Sequence, residues 1–264
     1  MQALAPFPLA SPVPRLTLVE VNLVLITAEE SKSGLPPDDA RARHLRETVG
    51  LAVGGSFHVG IEKGLRGIAT VASLAPKLTF DVVWEKSVQA GLPLTVLVGL
   101  PRPQTAKKVL HDLASLGVAR IIFFESEKGD PGYLTSSLWK DGEWREHVLK
   151  GTEQACSTLV PEVTRVASLT EAIALIDAAA WKLALDPYEA TGAPEISVPA
   201  NAAVLAIGPE RGFAEAERVA LRNAGFSFAH LGDRILRVEA AALVGGALML
   251  AQLRVWEKHH PVGG

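Results

Sequence analysis

LTVLVGLPRPQTAKKVLHDLASLGVARIIFFE, residues 94–125, decides the fold. Its first seven residues are almost wholly apolar and have strand length. Ala106, Val109, Leu110, Leu113 and Leu116 then recur at helical spacing, and Gly117 stands where a C-cap belongs. VARIIFFE, 118–125, is a second strand whose apolar core implies burial on both faces. Parallel neighbours need a crossover, so strand, helix and strand in this order mark a parallel sheet with helical connections.

The alternation continues downstream. The pattern predicts helices over 139–156, 169–178, 214–224 and 239–257, and strands over 182–186, 203–207 and 226–231. Upstream it differs. Residues 21–27 (VNLVLIT) read as a strand, 31–40 as a loop and 41–48 as a short helix. Residues 56–61, 67–74 and 79–84 are short, partly alternating strands separated by glycines or Pro76, which suggests a small β-barrel or sandwich. The Pro- and Ala-rich residues 1–20 look like an extension, and the start of the folded chain is placed at Val21. The expected organisation is an extension over 1–20, a small β domain over 21–88 and an α/β domain over 89–264, with no internal repeat.

With 264 residues, 48% of them hydrophobic and 21% charged, the chain has globular composition and can bury a core without staples. Cys156 is the single cysteine, which excludes an internal disulfide and a thiolate-rich zinc site. No run approaches the roughly 20 apolar residues of a membrane span, and the proline-interrupted N-terminus lacks the basic start of a signal peptide. A cytoplasmic protein without metal or membrane contact is expected. Net charge is −3, and residues 1–88 hold 9 basic and 9 acidic side chains against 17 and 20 in the remainder. Any nucleic-acid footprint is therefore a local patch, for which Arg41, Arg43, His44 and Arg46 are the best cluster; an ordinary solvated face is the plainer alternative.

Four segments could carry chemistry. GPERGF, 208–213, lies between a buried strand and a helix start, the ligand position of an α/β sheet; a tight turn is the alternative. LGDRILRVEAA, 231–241, is a second strand-to-helix link, with arginines suited to carboxylate or phosphate or to surface ion pairs. LPRP, 100–103, precedes Lys107 and Lys108, and EQACST, 153–158, holds the lone thiol. No base stands near Cys156 in sequence and Ser157 lacks a nucleophile elbow, so covalent catalysis is disfavoured. A doubly wound oxidoreductase is set aside because its glycine fingerprint is missing.

Together these segments resemble one family. GPERGF is similar to its signature GPEGGF, and LGDRILRVEAA to LGxRILRxETA, at matching separation. EQACSTLVP, LPRP with LHDLASLGVARIIFFESEK, VNLVLIT and RHLRETVGLAVGGSFHVG extend the likeness over roughly 21–256. The chain is identified as a member of the RsmE family of 16S ribosomal RNA uracil N3-methyltransferases, within the SPOUT superfamily. It departs from the pattern at Arg211 (glycine in the signature), Ala240 (threonine) and Gly50 (arginine), and its EQ segment lacks the arginine common in the family.

The resemblance implies a PUA-like β-barrel followed by a parallel α/β domain with a C-terminal trefoil knot. It implies a homodimer joined at the knot, S-adenosylmethionine as cofactor, and a decoding-centre uridine of the small ribosomal subunit as substrate. On this reading Leu185, Ile207, Gly208, Pro209, Glu210, Gly212, Leu231, Gly232, Ile235, Leu236, Arg237, Glu239 and Ala240 hold the cofactor. Arg41, Arg43, Arg46, Lys107 and Arg234 contact RNA. Glu210 is the candidate catalytic base, or else a partner of backbone N–H groups. Two other readings stay open: a SPOUT enzyme with a different base or a ribose hydroxyl as target, and a non-catalytic RNA-binding assembly factor.

Overall fold

The computed structural model describes residues 22–190, 192–194 and 200–256. The expected extension and the end of the last predicted helix lie outside them. The N-terminal sheet comprises β1 (Val24–Ile26), β2 (Ser56–Ile61), β3 (Arg66–Ser73) and β4 (Thr79–Trp84), in that order. β1 joins β2 in parallel and the other two pairs are antiparallel. Two short helices, α1 (Glu30–Ser33) and α2 (Ala40–Arg43), connect β1 to β2, and a wider turn over His44–Thr48 follows α2. The predicted helix over 41–48 is thus split between two geometries, and α1 occupies the start of the predicted loop. Beyond the named strands, Leu35 bridges Leu78.

The second sheet is wholly parallel. Its strands are β5 (Leu92–Gly99), β6 (Val118–Phe124), β7 (Glu162–Val166), β8 (Trp181–Leu185), β9 (Ala203–Ile207) and β10 (Ser227–Ala229), in the spatial order β10-β8-β9-β5-β6-β7. α3 (Pro103–Leu116), α5 (Trp144–Gln154) and α8 (Val238–Gln252) cover one face; α6 (Leu169–Ala174) and α7 (Glu215–Asn223) cover the other. β5 shows why its sequence is continuously apolar. Leu94, Val96 and Val98 enter the core beneath α3, while Leu97 enters the opposite one. α3 starts with Pro103 and stops at Gly117, whose N–H reaches the Leu113 and Ala114 carbonyls.

Two further elements, in the parallel-sheet part, differ from the sequence pattern. The helix expected over 139–156 is broken: α4 (Ser137–Lys140) ends before Gly142, whose φ of +77° no helix accommodates, and α5 begins at Trp144. Trp139 remains buried, edge-on to Phe123 at 5.0 Å between ring centres. β7 has no counterpart among the predicted strands. It sits at the sheet edge with Glu162 and Arg165 both exposed, so it lacks the apolar run that marks the inner strands.

β1 also ties the two sheets together. Its outer edge meets α5: the Leu23 N–H donates to the Glu153 carbonyl (3.0 Å) and the Leu25 N–H to Glu153 Oε1 (3.1 Å). Burial pushes the Glu153 carboxyl above its ordinary value, opposed by the Leu25 N–H. A carboxyl raised in the fold favours the native state most below its unfolded pKa, and that advantage is lost as pH rises through the folded value. Glu153→Gln keeps the acceptor for Leu25 and removes the titration. Its melting temperature relative to the parent is expected to climb by a few degrees between pH 4.5 and 7.5, whereas Glu153→Ala lowers stability at both. A pH-independent difference for the glutamine variant contradicts this account.

Candidate functional site

Three loops leave the carboxyl ends of β8, β9 and β10, and the first turn of α3 approaches them from β5. Together they enclose a cleft of about 380 Å³. Its buried lining is apolar, formed by Leu185 and Ile207 at the strand ends and by Val238 at the start of α8, with Leu231 half-buried and Leu236 exposed beside them. The loop after β9 is held on both sides. Gly99 ends β5 against it, and a Cβ there would stand 2.5 Å from Pro209 Cδ, so only glycine lets this loop lie on β5. Gly212 takes φ +68° and its N–H closes onto the Pro209 carbonyl at 2.8 Å. Phe213 then plunges into the core and stacks on Phe124. Buried Glu217 accepts from the N–H groups of Ala214 and Glu127 and from Ser126 Oγ, fixing the start of α7.

The loop after β8 turns on a buried carboxylate. Asp186, 2% exposed, accepts the Tyr188 N–H at 2.8 Å and pairs with Arg218 Nε at 2.6 Å. That hydrogen bond raises the Arg218 guanidinium further above its already high ordinary value. The guanidinium lies beneath the Tyr188 ring, 5.6 Å from its centre. At the start of α8, Glu239 pairs with Lys108 at 3.3 Å. Burial opposes its ionisation, yet its own backbone N–H and the Lys108 ammonium hold the carboxyl below its usual range.

Of the residues expected at the cofactor, Leu185, Ile207, Gly208, Pro209, Glu210, Gly212, Leu231, Gly232, Ile235, Leu236, Arg237 and Glu239 all line this cleft; Ala240 does not, and Ala241 takes its place. Arg234 lines it too, and with Arg102, Arg211 and Arg237 forms an exposed cationic mouth. Glu210 Oε1 accepts the Arg102 N–H at 3.1 Å. The other residues expected on RNA are elsewhere. The Arg41 guanidinium points inward, bonding Glu30, Asp39 and the Leu25 carbonyl, and so offers no edge to a phosphate. It holds the Asp39 and Glu30 carboxyls below their ordinary values. Arg46 donates to the Pro37 carbonyl, Lys107 pairs with Glu143 at 3.1 Å, and Arg43 is exposed. Cys156 is half-buried against the core at the end of α5, its carbonyl accepting from Arg66. Among the described residues no cluster of three or more His, Cys, Asp or Glu is arranged to hold a metal, and no helix is long and apolar enough to cross a membrane.

Sequence reasoning reached Arg102 only as part of LPRP, and missed Thr105, Asp186, Tyr188 and His230 in this cleft. The loop after β8 was within reach, because it leaves the same edge of the parallel sheet as the two motif loops.

Residues 88–250 match the family model described as the RNA methyltransferase domain. The chain is 32% identical to the ribosomal RNA small subunit methyltransferase E of Treponema pallidum (strain Nichols), covering 92% of this chain and 96% of that one. The chain belongs to the ribosomal RNA small subunit methyltransferase E family. A second family member, ribosomal RNA small subunit methyltransferase E 1 of Borreliella burgdorferi, is 30% identical over 88% of this chain and 99% of its own length. The fold is shared with the ribosomal RNA small subunit methyltransferase E of Neisseria gonorrhoeae, a structure bound to S-adenosyl methionine, at a TM-score of 0.73 and 23% identity over 88% of this chain and 97% of that one. A methyltransferase from Legionella pneumophila, also in complex with that cofactor, gives 0.68 and 21% over 88% and 98%.

Proposed function

We propose that this protein is an S-adenosylmethionine-dependent methyltransferase acting on N3 of a decoding-centre uridine in the 16S rRNA of the small ribosomal subunit. The observation that carries the reading is the convergence of 208–213, 231–237 and 186–188 on one cleft at the carboxyl edge of the sheet. Its members suit the cofactor. The apolar floor of Leu185 and Ile207, with Leu231 and Leu236 beside it, matches an adenine and a methionine chain, and the loop backbones supply hydrogen-bonding groups around them. The cofactor supplies an electrophilic methyl group; this chain's part is to hold the uracil in line with it and let the N3 proton leave. Arg211 stands exposed on the rim and leaves the cleft open, which weighs against the non-catalytic reading.

Residues 21–88 are the PUA-like RNA-binding domain of this reading and 89–264 the methyltransferase domain. The antiparallel β2-β3-β4 sheet with the Leu35–Leu78 bridge supports a small barrel. Three contacts support the trefoil knot: Gly192 O accepts from His230 N, Pro194 O from Gln252 Nε2, and Gly245 of α8 packs on Leu185 and Leu205. The connection from β8 to β9 thus touches both ends of the segment that α8 lays on those strands. Leu243, Val244 and Leu248 leave an apolar strip of α8 exposed, which suits a homodimer through this region. RNA contacts are assigned to Arg234 and Arg211 at the cleft, with Arg43, Arg46 and Lys107 further out. A ribosomal substrate places the work in the cytoplasm.

The test is incubation with labelled S-adenosylmethionine and small subunits from cells lacking this modification, followed by nucleoside mass spectrometry. N3-methyluridine from 16S rRNA is expected; a different methylated nucleoside moves the target. Glu210, engaged with the Arg102 N–H, acts in this reading as an anchor for the loop. Glu210→Gln preserves that acceptor and is expected to keep the turnover within about tenfold of the parent, where loss of a general base costs about 10²–10⁴-fold. A drop in the larger range, with cofactor affinity unchanged, restores Glu210 as the base.

A further inference from the structure

We infer that Tyr188 is the stacking platform for the target pyrimidine at the mouth of the cleft. The inference rests on the reading of the cleft as an RNA-methylating site. Tyr188 is 75% exposed, unusual for a large ring whose surroundings are otherwise fixed. Its backbone N–H is held by buried Asp186, and the same carboxylate holds the Arg218 guanidinium under the ring. One carboxylate therefore sets both the loop and the support beneath the ring. The ring edge reaches Gly212, where a Cβ would come within 4.0 Å of Tyr188 Cε2, so the tyrosine overlooks the loop after β9. Its hydroxyl bonds none of the described residues. A side chain so braced, with one face backed by a cation and the other open, is pre-organised to receive a flat ligand.

Depth decides which flat ligand. Leu185 ends β8, and Tyr188 lies three residues on, in the loop that follows. Leu185 is 9% exposed at the floor, whereas Tyr188 stands at the rim. The floor is the apolar part suited to the cofactor. The rim carries Arg102, Arg211, Arg234 and Arg237, the charges that suit a phosphate backbone. An exposed aromatic among arginines matches recognition of an unstacked RNA base, which single-strand readers hold by stacking on aromatic rings. Uracil reached at N3 must be unpaired, because that atom lies on its pairing edge. A stacking partner compensates for the base neighbours it leaves behind.

The experiment compares the full-length protein with Tyr188→Ala, Tyr188→Phe and Tyr188→Trp. Methyl transfer to unmodified small subunits is measured under saturating cofactor, and cofactor affinity separately by calorimetry. Tyr188→Ala is expected to lower kcat/KM for the subunit about ten- to hundredfold, with cofactor Kd within twofold, and Phe and Trp to restore most of the rate. Three results overturn the inference: an alanine variant as active as the parent, a phenylalanine variant as weak as alanine, or a cofactor Kd that rises in step with the lost rate, which would assign the ring to adenine. Failure of the parent itself to methylate subunits removes the reading of the site, and this inference with it.

Discussion

Asp186→Ala is expected to lower the stability of the fold by about 3 kcal/mol and to abolish measurable cofactor binding. Removing one partner of a buried ion pair costs about 3–5 kcal/mol, because the remaining charge keeps its desolvation penalty without compensation. Here the remaining charge is Arg218, whose side chain is 11% exposed. The lower end applies because Glu215 lies within 3.7 Å of the same guanidinium. The consequence for the cleft is direct, since the Tyr188 N–H loses its acceptor and the wall that begins at Leu185 loses its anchor. Urea unfolding and calorimetry with S-adenosylmethionine read the two effects separately. Asp186→Asn keeps the acceptor but not the charge and should fall between alanine and parent. An alanine variant with unchanged midpoint and unchanged affinity contradicts the role given to this carboxylate.

Gly151→Ala is expected to destabilise the protein by about 3 kcal/mol, although alanine is the better helix former by about 1 kcal/mol. α3 and α5 touch backbone to backbone at this point. A Cβ on residue 151 would stand 2.1 Å from the His111 carbonyl oxygen and 3.0 Å from Ala114 Cβ, and Ser115 Oγ already donates to the Gly151 carbonyl. Neither obstacle is the flexible end of a side chain, so the helices must separate. Overpacking of this kind costs about 1–3 kcal/mol and sometimes more. Chemical denaturation decides it. A variant at or above the parent's stability would mean that the spacing of the two helices relaxes freely and propensity wins.

Legibility varied with how local the signal was. β5, α3 and β6 could be read directly, because a strand buried on both faces must be apolar throughout and α3 shows a stripe bounded by Pro103 and Gly117. The break at Gly142 was hidden because tryptophans on either side, Trp139 and Trp144, continue the apolar pattern across it. β7 was hidden because an edge strand needs no apolar face toward solvent. In the cleft, 208–213 and 231–237 announced themselves by glycines after buried strands. The Asp-Pro-Tyr loop carries no such mark; its importance lies in a contact with Arg218, 32 residues away. Arg41 shows the converse. A run of arginines advertises charge, but only the folded chain reveals that Glu30 and Asp39 have already claimed it.

β1 is three residues long, yet its neighbourhood serves two masters. Leu23 and Leu25 enter the core of the parallel sheet, while Val24 and Ile26 enter that of the antiparallel one. A slip of one residue would exchange the two sets and spoil both interiors at once. The two parts of this chain are therefore not interchangeable modules. Grafting either onto another protein, or trading the N-terminal part for an unrelated one, would have to carry this strand along and rebuild the surface it vacates.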